Sequence, residues 1–182
     1  MGVFNFNGFK RDNNVSVDKN LVKMLEESSG LGGLTWSGIT SLKNSDVFTA
    51  IDIISKDIAS TSIRFNDADN YLDEDKKILK LLNKRPNPYL DSWHFKYIIV
   101  ANMLLNGNSY VEIVRDDKGN PIELYHMQNK AVSIQQVDDK IKYDYIDEVD
   151  GHVRFDTDDV LHFRMFSLDG FTGYSPVSYT HL

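Results

Sequence analysis

The chain has 182 residues, of which 41% are hydrophobic and 12% aromatic, a composition typical of a folded globular protein rather than a disordered one. Its 20 Lys and Arg residues against 27 Asp and Glu residues give a formal net charge of −7, which argues against a protein that holds DNA or RNA through a basic surface. The chain contains no cysteine, and this excludes a disulfide scaffold, a thiol nucleophile and thiolate metal sites.

The first 44 residues predict a flexible N-terminal arm with a short helix, standing outside the folded domain. The opening stretch is polar apart from scattered phenylalanines, and it lacks the basic region of a signal peptide. A short helix is expected from an Asp18 cap to Leu25, followed by a glycine-rich mobile loop over residues 30–38. No apolar stretch in the chain approaches the ~20 residues of a membrane-spanning helix, so we expect a soluble intracellular protein.

Two amphipathic helices follow the arm. Ser45 is a favourable N-cap, and apolar residues at helical spacing predict a helix from there to about Ser60, then a short strand over residues 62–66. A second helix is predicted to open at the acidic run 73–75, because acidic side chains are favoured at the positive end of a helix dipole. It ends before Arg85-Pro86, since proline forbids its continuation.

A third helix is predicted to be the central, buried one. Asp91 or Ser92 provides its N-cap, and apolar side chains surround almost its whole circumference between Trp93 and Leu105. Gly107, flanked by two asparagines, predicts a left-handed C-terminal stop.

Beyond Ser109 the hydrophobic period changes from helical to two, which predicts β-strands separated by turns rich in Asp and Gly. The predicted strands are residues 110–115, 121–125, 131–137, 141–146, 152–155 and 160–165. Helices followed by strands, without βαβ alternation, predict an α+β fold in which the helices precede an antiparallel β-meander.

Most motifs for catalysis or cofactor binding are missing. The glycines at 30–33 lack the Lys-Ser/Thr of a P-loop, and the five histidines never form a His-x-His or His-Glu-x-x-His pair. An EF-hand at residues 147–158 fails because His152 replaces the required glycine. Pro176 after Ser175 removes the backbone N–H that an oxyanion hole needs, which favours Ser175 as a helix N-cap. We therefore predict no cofactor and no metal.

Paired acids occur at the predicted turns, where solvated carboxylates are expected. One pair, Asp158-Asp159, is close in sequence to His162 and leaves open a hydrolase that uses these groups. His162 and Arg164 alternate with apolar residues along one strand, so we expect them to share a sheet face. An ion pair with the acidic turns is the favoured interpretation of these two residues.

The one concentrated positive patch lies on the second helix and the Asn-Pro turn after it. It is either a solvated helix face or a contact with phosphate or with an acidic neighbouring subunit. Two aromatic residues, Tyr89 and Trp93, lie near the same turn. The alternative interpretation of Trp93 is that it belongs to the core. The candidate subunit-contact residues are Lys76, Lys77, Lys80, Lys84, Arg85, Tyr89 and Trp93.

Several segments together, in order and spacing, resemble the portal proteins of tailed bacteriophages, of the siphophage type. They are residues 45–55, 81–89, 104–110, 121–125, 159–164 and 168–176. A leucine-rich helix ending at an Asn-Pro turn, and then a helix ending in Asn-Gly-Asn before a strand, is not a generic combination.

The resemblance implies that residues 45–176 are the α+β wing region of a portal subunit. Such subunits form a ring, usually of twelve, at one capsid vertex, which is the channel for DNA packaging and ejection and the head–tail connection. The implied partners are other portal subunits, the terminase, the capsid protein and a head–tail adaptor, with viral DNA passing without sequence specificity. The resemblance implies no catalytic residue and no membrane, and it implies location in the virion, or in the host cytoplasm during assembly. The alternatives are the acid/His-dependent hydrolase and a small protein-binding adaptor domain.

The sequence departs from the portal pattern at its end. Portal proteins continue beyond the Ser-Pro segment into stem, clip and crown regions, whereas residues 177–182 do not resemble the start of such a helix. We therefore expect a truncated chain whose last residues, 177–182, are not native. Such a fragment is expected to be a monomer or to associate weakly.

Overall fold

The computed structural model describes residues 45–65, 72–138, 140–147 and 151–177. The predictions made for the arm of residues 1–44 and for most of the end at residues 177–182 lie outside the described residues.

Three helices open the domain: α1 (Ser45–Ser60), α2 (Asp73–Asn83) and α3 (Ser92–Asn106). Their bounds confirm the three predicted helices. Of the two N-caps proposed for α3, Asp91 is the one used, and its carboxylate accepts the backbone N–H of His94 at 2.9 Å. The helix stops at Gly107 with a φ of 80°, the left-handed conformation that glycine adopts at low cost. Within the described ranges, none of the helices is long and apolar enough to cross a membrane.

The strand predicted over residues 62–66 is wrong for the part that the structure describes. Residues 62–65 have no regular secondary structure and no strand partner there. The side-chain amide of Asn83 takes the place of a neighbouring strand, since its Nδ2 donates to the Ile63 carbonyl and its Oδ1 accepts the Ile63 N–H, both at 2.8 Å. A side chain at the end of α2 therefore satisfies the backbone that a sheet was expected to pair.

Six strands follow the helices, and the α+β prediction is confirmed. They are β1 (Asn108–Arg115), β2 (Pro121–Met127), β3 (Val132–Val137), β4 (Lys140–Asp147), β5 (Gly151–Asp156) and β6 (Val160–Arg164). Their described pairings are all antiparallel.

The strands form two sheets rather than one continuous meander. The first has the order β2-β1-β6 and the second the order β3-β4-β5, so only the second is a meander of three consecutive strands. Strand β6 returns to β1, with Tyr110 opposite His162. Val160 packs in the cluster between the two sheets, and Leu161 packs against α3. The place of β6 beside β1 therefore buries apolar side chains on both of its faces.

The core consists of three apolar clusters, two of which contain residues of α3 and two of which contain residues of the first sheet. One lies between α1 and α3, one between α3 and the first sheet, and one between the two sheets. Large buried side chains of these clusters include Phe48, Ile51, Tyr97 and Leu105 in the first, Phe95, Val111 and Leu124 in the second, and Tyr110, Met127 and Tyr143 in the third. Since α3 contributes to two of them, its predicted central position is confirmed.

Candidate functional site

The junction where α3 passes into β1 is closely packed against residues near the end of the described chain. Asn108, the first residue of β1, is 8% exposed and hydrogen-bonds through both atoms of its amide. Its Nδ2 donates to the Gly173 carbonyl at 2.9 Å, and its Oδ1 accepts the Gly173 N–H at 2.7 Å. One side chain thus pairs with both backbone groups of a residue that is distant in sequence, in the manner of a neighbouring strand.

The same junction requires two glycines in direct contact. A Cβ atom on Gly107 would overlap the Gly173 carbonyl and would lie 2.7 Å from the backbone nitrogen of Ser175. A Cβ atom on Gly173 would overlap the Gly107 carbonyl oxygen and would lie 2.9 Å from the nitrogen of Met165. Since that nitrogen donates to the Gly107 carbonyl at 2.8 Å, the chain crosses itself here with no room for a side chain.

Ser175 connects the last described segment, residues 165–177, to the end of α3 through hydrogen bonds. Its Oγ lies 2.7 Å from the Leu105 carbonyl, to which it donates, and accepts the Val177 N–H at 3.2 Å. The second bond is of the kind that an N-cap serine makes with a following backbone N–H. The helix that Ser175 was predicted to cap would lie in residues after Val177, outside the described ranges. Residues 165–177 are therefore held at both Gly173 and Ser175.

His162 completes the junction on its sheet side. Its Nε2 donates to Asn108 Oδ1 at 2.9 Å, its Nδ1 lies 3.3 Å from the Tyr143 hydroxyl, and its ring stacks 4.5 Å from that of Tyr110. Burial, and then the positive charge of Arg164, lower the pKa of His162 to about 4. His162 is therefore neutral at pH 7, and the ion pair predicted between it or Arg164 and the acidic turns is not formed among the described residues.

The hydrolase alternative depends on Asp158, Asp159 and His162 acting together, but these residues form hydrogen bonds with different partners. The Asp159 carboxylate accepts Arg115 Nε at 3.0 Å, and the Asp158 carbonyl accepts Arg115 Nη2 at 2.6 Å. Neither aspartate is hydrogen-bonded to His162, whose ring nitrogens face Asn108 and Tyr143. In the part of the chain that the structure describes, no cluster of His, Asp and Glu could hold a metal ion.

The predicted basic patch lies on the protein surface, which both interpretations of the patch require. Its five members, Lys76, Lys77, Lys80, Lys84 and Arg85, are all exposed on α2 and the turn after it. Arg85 Nη2 donates to the Pro88 carbonyl at 3.0 Å, so this guanidinium also shapes the Asn-Pro turn. Lys77 faces the β1–β2 turn, where it adds to the hydrogen bonds from Asn120 that lower the pKa of Asp116.

The two aromatic candidates have different positions. Tyr89 is 83% exposed and lies beside the basic patch on the Asn-Pro turn. Trp93 is partly buried against the α1–α3 cluster, stacks on Tyr97 at 5.4 Å, and donates from Nε1 to Ser60 Oγ at 3.2 Å. Tyr89 is therefore available for a subunit contact, whereas the structure places Trp93 largely in intramolecular packing, the alternative that the sequence left open.

An apolar groove that the sequence pattern did not indicate lies between the end of α1, α3 and β6. It has a volume of 290 Å³ and is lined almost wholly by apolar side chains. Three isoleucines of α1, Ile53, Ile54 and Ile58, are more than 40% exposed, and Ile58 is the one that lines the groove. An amphipathic helix that carries exposed isoleucines in this number has a second face to cover.

The comparisons with known proteins agree on one family. The sequence model described as phage portal protein matches residues 45–181. The portal protein of Enterobacteria phage HK97 is 25% identical over 114 residues, which cover 63% of this chain and 27% of that protein.

Solved structures give the same result at the level of the fold. A neck of a native gene transfer agent particle, computed with C12 symmetry, contains a chain that is 23% identical with a TM-score of 0.63, and the match covers 91% of this chain and 41% of that one. A neck of the empty particle gives a TM-score of 0.65 at 23% identity, covering 80% of this chain and 42% of that one. An HK97-family portal protein from Corynebacterium diphtheriae gives 0.52 at 16% identity, covering 77% of this chain and 42% of that one.

This chain thus spans less than half the length of the relatives that it matches. Because the family model covers all the described helices and strands, the assignment applies to the domain as a whole and not to one motif. The chain belongs to the phage portal protein family.

Proposed function

We propose that residues 45–176 form the wing part of a structural portal subunit, in a ring at one capsid vertex through which DNA is packaged and ejected. The observation that carries this proposal is the family match, which begins at the first residue of α1 and extends past the Asn108–Gly173 junction. The gene transfer agent neck computed with C12 symmetry supports a ring of twelve.

The proposed partners are other portal subunits, the terminase, the capsid protein and a head–tail adaptor. Viral DNA passes without sequence-specific contacts, and a net charge of −7 suits a protein that does not hold phosphates tightly. The protein acts in the virion, at the capsid vertex, and is in the host cytoplasm during assembly.

The proposed role is structural and not enzymatic. This is supported by the separate engagement of the residues that a hydrolase would need, since Asp159 pairs with Arg115 and His162 is bonded to Asn108. A neutral histidine with both ring nitrogens in hydrogen-bond contact, and a pKa near 4, is a poor general base at pH 7.

We assign the basic face of α2, together with Tyr89, to the contact with an acidic surface of the neighbouring subunit. Long cationic side chains on one face of a helix complement such a surface and steer its approach. A triple variant that reverses three charges, Lys77→Glu, Lys80→Glu and Lys84→Glu, should reduce the number of DNA-filled particles. The matched control is Lys118→Glu, Lys130→Glu and Lys140→Glu, which changes three other exposed lysines by the same total charge. Equal losses in the two triple variants would contradict this surface.

The portal role itself is tested by locating the protein in particles. Antibodies raised against the purified chain should label a single vertex of the phage or gene transfer particle that the encoding genome produces. Labelling of every vertex, or particles that lack the protein altogether, would overturn the proposed function.

A further inference from the structure

A small pocket lies beside β6, on the face of the strand opposite to the apolar groove. His162 and Arg164 line the pocket, whereas Leu161 and Phe163 line the groove. Alternate residues of a strand lie on opposite faces of its sheet, so the pocket and the groove belong to opposite faces of the first sheet. The pocket has a volume of about 220 Å³, and Tyr143 of the second sheet also lines it.

Two polar side chains of this pocket are hydrogen-bonded to each other. His162 Nε2 donates to Asn108 Oδ1 at 2.9 Å, so the neutral ring accepts at Nδ1, and the Tyr143 hydroxyl donates to that nitrogen at 3.3 Å. Both donor hydrogens are therefore used within the protein. Neither His162 nor Tyr143 offers a hydrogen-bond donor to a ligand in the pocket.

Arg164 supplies a positive charge to the pocket, and this charge is not balanced within the described ranges. In those ranges, no carboxylate oxygen lies within 4.0 Å of a nitrogen of Arg164. Three acids next to pocket residues in sequence are bonded elsewhere, namely Asp144 to Arg154, Asp156 to Lys142, and Asp169 to two backbone N–H groups. Burial raises the pKa of the Tyr143 hydroxyl, and the charge of Arg164 opposes that rise, so the charge acts inside the pocket.

The remaining side chains of the lining determine the kind of anion that fits. Ile134, Ile141 and Phe171 are apolar, and the Thr157 hydroxyl adds one more donor. A guanidinium holds a carboxylate through two parallel N–H···O bonds, so one arginine balances one carboxylate. A doubly charged phosphate would keep uncompensated charge beside apolar side chains, which is unfavourable. The lining therefore matches a single carboxylate on an apolar stem.

The segment that supplies Phe171 to the pocket favours a carboxylate carried by a protein. Phe166 and Leu168 in this segment are 69% and 72% exposed. The segment is fixed by a hydrogen bond from the Tyr174 N–H to the Phe166 carbonyl at 2.8 Å, and by the Asp169 carboxylate, which accepts two backbone N–H groups. Exposed apolar side chains on a fixed segment are typical of a surface that binds another protein, and a free small acid would leave them in water.

We propose that this pocket binds a glutamate side chain of a partner protein, with the carboxylate on the Arg164 guanidinium. The apolar stem of the glutamate lies beside Phe171 and the two isoleucines of the lining, and the residues that flank it in the partner pack on Leu168. The pocket shares no residue with the basic face of α2. It is therefore a second contact surface, separate from the one assigned to that face.

Binding of a short peptide to the whole chain tests the pocket. The probe is acetyl-Leu-Glu-Leu-amide, and acetyl-Leu-Gln-Leu-amide is the matched neutral peptide. Since Ile134 and Ile141 line the pocket, we expect saturable shifts of their methyl signals in nuclear magnetic resonance spectra with the glutamate peptide. The glutamine peptide should bind roughly 10-fold more weakly, because hydrogen bonds between charged groups are the stronger ones. Equal affinity of the two peptides would overturn the proposal.

The variant Arg164→Gln tests the guanidinium itself. It should lower the affinity for the glutamate peptide to that for the glutamine peptide. The fold should be retained, because Arg164 is exposed and has no ion pair in the described ranges. The matched control is Arg64→Gln, which removes the same charge at an exposed arginine outside the pocket and should leave the affinity unchanged. Equal losses in the two variants would mean a general effect of charge and would contradict a site at Arg164.

Pentanoate distinguishes a carboxylate carried by a protein from a free small acid. It has the carboxylate and an apolar stem but no flanking residues, so it should bind several-fold more weakly than the glutamate peptide. Leu168→Ala should weaken the binding of the peptide several-fold and leave that of pentanoate unchanged. If pentanoate bound as tightly as the peptide and Leu168→Ala changed neither affinity, the site would take a free acid and the assignment to a partner protein would be wrong.

Discussion

Gly107→Ala is the sharpest test of the junction between α3, β1 and residues 165–177. A methyl group at Gly107 has two separate costs. The φ of 80° lies in the left-handed region, which costs an alanine roughly 1 kcal/mol relative to glycine. In addition, the new Cβ would overlap the Gly173 carbonyl, so the backbone at Gly173 must move away.

The second cost follows from what that movement breaks. Both hydrogen bonds between Asn108 and Gly173 are buried, and each unmade buried bond costs about 1–3 kcal/mol. We therefore expect Gly107→Ala to lower the free energy of unfolding by about 3–7 kcal/mol, the sum of the two costs. Gly119→Ala is a matched control, since its φ of 83° is nearly the same but no atom lies within 4 Å of the added Cβ. It should lose only about 1 kcal/mol, the left-handed part of the cost.

Urea unfolding followed by far-UV circular dichroism measures both values. The expected difference between the two alanine variants is about 2–6 kcal/mol, and it isolates the contact with Gly173 from the backbone conformation that both positions share. Equal destabilisation of the two variants would refute the reasoning, because it would mean that the close approach of the two glycines carries no energy.

Two further predictions concern His162 and the Asn-Pro turn. The folded pKa of His162, about 4, is below the usual 6.5, so the unfolded chain binds the proton more readily. Its stabilising contribution is complete above pH 6.5 and decreases as the pH falls, by about 2 kcal/mol at pH 4.5, and this decrease should disappear in His162→Gln. Urea midpoints at the two pH values measure it, and an unchanged pH dependence in the variant would contradict the assignment. Asn87→Ala removes a donor to Leu124 and the acceptor of the Tyr89 and Leu90 N–H groups, and should cost about 2–3 kcal/mol. The exposed Tyr89→Ala should change stability by less than about 0.5 kcal/mol, and a loss equal to that of Asn87→Ala would show that the turn is held in another way.

The helices were predictable because their signals are local. Asp91 before an apolar run and Gly107 between two asparagines specify a start and a stop through bonds to residues only a few positions away. The strand expected at residues 62–66 shows the limit of such reasoning, since Ser62–Phe65 has extended residue types but its backbone is bound by Asn83 instead of a strand. Propensity favours an extended chain there, but it does not supply a neighbour.

The candidate site residues show the same contrast between local signals and tertiary contacts. The lysines of α2 were placed on a surface by helical periodicity alone, and the structure agrees. Trp93 had two possible environments, and the decision came from its contacts with Ser60 and Tyr97, on α1 and on α3 itself. His162 was expected to pair with the acidic turns, whereas its partner is Asn108, two positions along β1 from Tyr110, the residue directly opposite His162.

The sequence by itself determined the three helices, the change to β-strands and the family, because these depend on residue order, spacing and short-range hydrogen bonds. The tertiary structure decided which strands lie beside β1 in the sheet, how Asn108 pairs with Gly173, and where an apolar groove forms. These features join residues more than 40 positions apart, so their energies depend on which faces can be buried together and not on the intervening residues. Gly107 illustrates both kinds of feature. The Asn-Gly-Asn motif predicts its left-handed conformation from sequence. The Gly173 carbonyl, which leaves no room for a side chain at Gly107, comes close only in the folded chain.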